Sequence, residues 1–128
     1  MSLSHGTTHV ELHDGIIEVA FIGSFNIYGV QAFVQKVKDI VSQLGEQEFA
    51  MLIDNTKVEG GTPEAYDELN RYNEWLCTQA MVAKAFVMES SMAISILLQR
   101  TPSLAKQNVE FFTNVEDARQ WLKQRLAN

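Results

Sequence analysis

At 128 residues and 14.4 kDa the chain has the length of one domain and leaves no room for a second. Its 46% hydrophobic and 20% charged residues match the globular average, which excludes a disordered chain. Sixteen acidic against ten basic residues give a net charge of -6, a balance that argues against nucleic acid as a partner, because phosphate-backbone affinity comes mainly from Lys and Arg.

Residues 1–6 read as a disordered tail or remnant and residues 7–128 as the domain. Residues 8–13 alternate, with Val10 and Leu12 on one face and His9, Glu11 and His13 on the other, as in a strand with one wet side. Asp14-Gly15 is a two-residue hairpin signal, and residues 16–23 form a second, more apolar strand. From Asn26, a plausible N-cap, the period turns helical through Val30, Phe33, Val34, Val37, Val41 and Leu44, with Gly45 placed to stop the helix. Residues 49–54 read as a buried strand and residues 56–62 as the loop after it. Thr62-Pro63-Glu64 combines a hydroxyl cap, a proline at the first helical position and acid in the first turn, which starts a second helix running to about Ala80. Residues 84–88 supply a fourth strand, Ser90 or Ser91 caps a third helix that Pro102 ends, residues 108–113 supply a fifth strand, and Asn114 caps a final helix. The order ββαβαβαβα predicts an α/β fold with a mixed sheet, its functional groups gathered at the carboxy ends of the parallel strands.

Motifs that carry chemistry are scarce. Cys77 has no second cysteine to pair with and falls mid-helix, which points to packing and a reducing, cytoplasmic setting. No apolar stretch approaches the roughly 20 residues that span a bilayer. His5, His9 and His13 are spaced by four, but on a strand i and i+4 lie roughly 13 Å apart, too far to share one ion, so no metal is expected. Neither a Gly-x-Ser-x-Gly elbow nor a Gly-Lys-Thr phosphate loop is present, and Glu64, Asp67 and Glu68 would repel phosphate at the second helix start. Asp54, Glu59 and Glu64 form an acidic loop that reads as solvated. The expectation is a chain that is not an enzyme and needs no cofactor.

Apolar surface is the more informative feature. The second helix carries Tyr66, Leu69, Tyr72, Trp75 and Leu76, a wider apolar face than sheet packing requires, and the third is apolar almost all round. A short helix of that kind is enclosed by its own domain or covered by a partner.

Four features in this order, the strand Met51-Leu52-Ile53-Asp54, the entry Glu59-Gly60-Gly61-Thr62-Pro63-Glu64-Ala65, the stop Arg100-Thr101-Pro102 and the ending from Phe112 through Asn114 to Leu122, carry a resemblance to the SpoIIAA-like family of the STAS fold. The resemblance implies a non-catalytic interaction domain related to anti-sigma-factor antagonists. In those antagonists a serine at the start of the second helix is phosphorylated by the partner kinase; the matching position here is Thr62 or Gly61, where Gly60-Gly61-Thr62-Pro63 stands in place of an Asp-Ser-Gly motif. The same broad fold resembles lipid-binding CRAL-TRIO domains, which implies an apolar ligand. The expectations are therefore a cytoplasmic regulatory domain, homodimeric, that meets a protein partner through Asp54, Glu59, Thr62 and Glu64 and through the third helix. The alternative is a small apolar ligand in a cavity lined by Phe25, Tyr28, Tyr72, Trp75, Met92 and Leu97, residues that together with Ile96 form the candidate pocket or interface.

Overall fold

The computed structural model describes residues 3–127. Strands β1 (Thr7–His13) and β2 (Ile16–Phe25) form an antiparallel hairpin. Its turn residues Asp14 and Gly15 have φ of 52° and 80°, the two positive values that a type I′ turn needs. Helix α1 (Ile27–Leu44) starts where the capping chemistry predicts: Asn26 Oδ1 accepts from the Gly29 N–H at 2.9 Å. Asn26 also ties down the residues before β1, accepting from the His5 N–H and donating to the Leu3 carbonyl, both at 2.9 Å. Of residues 1–6, read from the sequence as a tail, Met1 and Ser2 lie outside the described residues, and residues 3–6 run against this cap. They approach so closely that a Cβ on Gly29 would strike the His5 carbonyl oxygen.

Strand β3 (Phe49–Gly61) corrects the expectation of a loop over residues 56–62. The strand continues because β2 also runs further than its apolar pattern: Lys57 and Val58 pair in parallel with Ile22 and Gly23 after one register shift, and Gly60 and Gly61 with Ser24 and Phe25 after a second. Backbone pairing there outweighs the polar composition. Helix α2 (Pro63–Leu76) begins at Thr62 as expected, with Thr62 Oγ1 accepting from the Ala65 N–H at 3.2 Å. It stops four residues before Ala80. The Thr78 hydroxyl and N–H both donate to the Trp75 carbonyl, at 2.6 and 2.9 Å, closing the last turn so that Ala80 is free to accept from the Phe49 N–H. Cys77, expected mid-helix, is the exposed C-cap residue.

Strand β4 (Met81–Val87), helix α3 (Ser91–Arg100), a 3-10 turn (Pro102–Lys106), β5 (Val109–Phe112) and α4 (Val115–Ala127) complete the chain. The sheet order is β1-β2-β3-β4-β5, with every pair after the hairpin parallel. Each parallel crossover steps in the same direction, so right-handed connections stack α1, α2 and α3 on one face. Alternation sorts the core accordingly: Ile17, Val19, Phe21, Met51, Ile53 and Phe86 meet those helices, while Ile16, Ala50, Leu52, Ala83, Ala85 and Val87 meet Ala118 and Leu122 of α4. Three alanines on the second face let α4 sit close, and Arg119 of α4 fixes its position by donating from Nη2 and Nε to the Glu18 carboxylate, at 2.8 and 3.3 Å. No described helix is long and apolar enough to cross a membrane.

Candidate functional site

The helix-covered face of the sheet is incompletely filled. Between β2, β3 and β4 on one side and α1, α2 and α3 on the other lies a cavity of about 250 Å³. Aromatic side chains shape its floor. Phe33 of α1 meets Phe21 at 4.6 Å and Tyr72 at 5.2 Å between ring centroids, both edge-on, and Phe21 meets Phe25 at 5.1 Å. Such a chain of edge contacts fixes each ring by its neighbours, which keeps the space open rather than letting one side chain collapse into it.

One residue breaks the apolar lining. The β4 sequence Val82-Ala83-Lys84-Ala85-Phe86 alternates, and Lys84 falls on the same side as Phe86, under the helices rather than at an edge. Only 1% of Lys84 is exposed. Its Nζ donates to Asn73 Oδ1 of α2 at 2.5 Å and lies over the rings of Tyr72 and Phe86, 5.6 and 5.8 Å from their centroids. Asn73 is held in turn by donating to the Leu69 carbonyl at 3.0 Å and by the Gln107 side chain, which reaches its Oδ1 at 3.2 Å. No carboxylate pairs with Lys84 among the described residues. Removal from water therefore dominates its titration and pushes the amine down to about 7, the nearby Cys77 thiol acting weakly in the opposite sense. Burial likewise pushes the Tyr72 hydroxyl up, so that side chain stays neutral. Elsewhere on the wall one polar atom is unpartnered: Asn55 Oδ1 is buried without a hydrogen bond, its Nδ2 resting 3.8 Å from Met88 Sδ.

The residues expected from sequence to act together converge only in part. Phe25, Tyr72, Ile96 and Leu97 line the cavity, with Glu59 at its rim. Trp75 does not line it but stacks behind Tyr72 at 6.2 Å, with Lys38 Nζ 5.1 Å from its own ring. Tyr28 and Met92 point to solvent, 50% and 73% exposed. Among the acidic-loop residues, Asp54 is occupied locally, its Oδ1 accepting from the Thr56 hydroxyl at 2.6 Å and N–H at 3.0 Å. Thr62 is exposed and engaged as the α2 cap, and Glu64 is exposed in the first turn.

Helix α3 buries only Leu97 and part of Ile94. Ile96 and Leu98 remain 42% and 44% exposed, so the helix that read as apolar all round is not enclosed by its own domain. Sequence reasoning passed over Lys84, Asn73 and Asn55. The available signal was the lone charge in the run of residues 81–88, at an alternating position between two alanines.

Among curated proteins none matches the chain. In structure the chain is similar to an uncharacterised protein with a SpoIIAA-like fold from Shewanella loihica, with a TM-score of 0.70 and 16% identity over 95% of this chain and 97% of that one. It is also similar to an anti-sigma factor antagonist from Mycobacterium paratuberculosis, with a TM-score of 0.63 and 19% identity over 93% and 95% of the two chains. At these identities both likenesses are of fold alone, the mixed α/β fold that this chain builds in the order ββαβαβαβα. The SpoIIAA-like family profile matches residues 16–123, from the start of β2 into α4, and the chain belongs to the SpoIIAA-like family.

Proposed function

We propose that this chain is a non-catalytic binding domain that takes a small, mostly apolar molecule into the cavity between the sheet and α1 to α3. The cavity itself supports the reading: about 250 Å³ walled by Phe21, Phe25, Phe33, Ile53 and Leu97, with few polar groups to fix an orientation. The described lining holds no Ser, Cys or His, and its mostly apolar wall suits binding. Titration with the neutral dye Nile red tests this. The dye should brighten on saturable binding, and Ala93→Phe, which places a ring at the rim from the exposed side of α3, should abolish the signal without unfolding the domain. Absence of saturable binding, or unchanged binding by the variant, would refute the reading.

A second reading rests on a separate observation. Met92 and Ile96, one turn apart on α3, form an exposed apolar patch, which favours a protein contact, with a second copy of the chain as the simplest partner. Ile96 belongs to both surfaces, since it lines the cavity and faces solvent. A ligand touching Ile96 would thereby alter the face offered to a regulatory partner, joining the two readings in one cytoplasmic regulatory domain; the exposed free thiol of Cys77 suits a reducing compartment. Light scattering should show self-association that Ile96→Glu weakens. A strict monomer at millimolar concentration would remove the dimer.

A further inference from the structure

The cavity contains a basic amine with no partner of opposite charge. Among the described residues that line it, Lys84 is the only Lys or Arg, and its single hydrogen bond goes to the neutral acceptor Asn73 Oδ1. The ammonium has three N–H groups, so two remain for the ring faces of Tyr72 and Phe86, which attract a cation without accepting a hydrogen bond as an oxygen does. A buried, unpaired charge is among the costliest arrangements a core can hold, whereas apolar residues of like volume would fill the site at no such cost.

We propose, on the reading of the cavity as a ligand site, that its occupant is an apolar carboxylate of roughly ten heavy atoms, whose head group pairs with Lys84 while its hydrocarbon lies among Phe21, Phe25, Phe33, Ile53 and Leu97. The size follows from the space, about 250 Å³ against roughly 30 Å³ for each water it displaces. The charge follows from stoichiometry: one amine, once protonated, is neutralised by one carboxylate. A doubly charged phosphate head would leave an excess negative charge in an apolar site, with Glu59 at the rim adding to it. The other ionisable groups facing the space are the Tyr66 and Tyr72 hydroxyls of α2, with Cys77 beyond Asn73, and none offers Lys84 a permanent anion.

Pairing has a measurable consequence. A carboxylate beside Lys84 restores the preference for the charged amine, so binding above neutral pH draws a proton from solution. Isothermal titration with octanoate at pH 8, in buffers of different ionisation heat, should show uptake approaching one proton per ligand. Lys84→Met should lower octanoate affinity at least tenfold while 1-octanol, carrying the same chain without the charge, binds parent and variant alike. Octanol binding also reports that the variant is folded. If octanol binds but octanoate binds no better, or if Lys84→Met retains octanoate, the carboxylate inference falls and the cavity reading stands. Failure of both probes sinks the two together. Borohydride trapping of octanal on Lys84, with octanoate failing to bind, would overturn the inference in favour of an imine-forming site.

Discussion

Lys84 makes stability depend on pH in an unusual direction. In the unfolded chain the amine titrates at its ordinary value of 10.5; in the folded chain burial brings it down to about 7. Between those values the unfolded state holds the extra proton, so stability rises with pH. The separation, at about 1.4 kcal/mol for each pH unit, amounts to about 5 kcal/mol, fully present as a penalty below pH 7 and fully relieved above 10.5. Lys84→Met keeps the stem volume and removes the charge. It also leaves Asn73 Oδ1 with only the Gln107 amide as donor, which costs about 1 to 3 kcal/mol. At pH 6 the variant should therefore be more stable than the parent by about 2 to 4 kcal/mol. Urea unfolding of both proteins from pH 6 to pH 10 measures the difference, which cancels the titration of all other groups. From pH 7 to pH 10 the variant's advantage should shrink by about 3 to 4 kcal/mol, reversing sign near the upper end. A difference that stays constant across this range would show that Lys84 is not held out of water, and the reasoning about the cavity's charge would fail with it.

Two further predictions probe how the sheet is covered. Glu18→Gln loosens the pair that fixes α4 to β2 and should cost about 1 kcal/mol, lowering the melting temperature by about 4 °C at low salt and by less at 1 M salt; an unchanged melt would make the pair energetically silent. Gly29→Ala should leave α1 helical, since alanine favours helix by about 1 kcal/mol, yet displace residues 3–6 because the new methyl meets the His5 carbonyl. Amide exchange at His5 should then accelerate, and unchanged protection there would contradict the packing described.

By itself the sequence determined the order of elements, the hairpin turn, the caps at Asn26 and Thr62, and hence the parallel, helix-covered sheet, while the structure settles the third helix cap, Ser90 or Ser91 from sequence, on Ser90. Those features are local: a turn needs particular φ values, a cap needs an oxygen within three residues, and helix period shows directly in apolar spacing. Strand β3 past Asp54 was not legible, because residues 55–61 carry polar and glycine residues and are held extended only by hydrogen bonds to β2, some 35 residues earlier. Nor was the end of α2, which rests on a threonine hydroxyl closing its own turn rather than on glycine. Four of the expected apolar residues, Phe25, Tyr72, Ile96 and Leu97, meet at the cavity, whereas Trp75 is a layer behind and Tyr28 and Met92 face outward. Helix period says which residues share a face, but only the packing of three helices against the sheet decides which part of that face touches a void. The same holds for Lys84. Alternation fixes its side of the strand, but whether that side is wet or dry depends on α2 crossing above it, and that long-range contact turned an ordinary lysine into a buried amine.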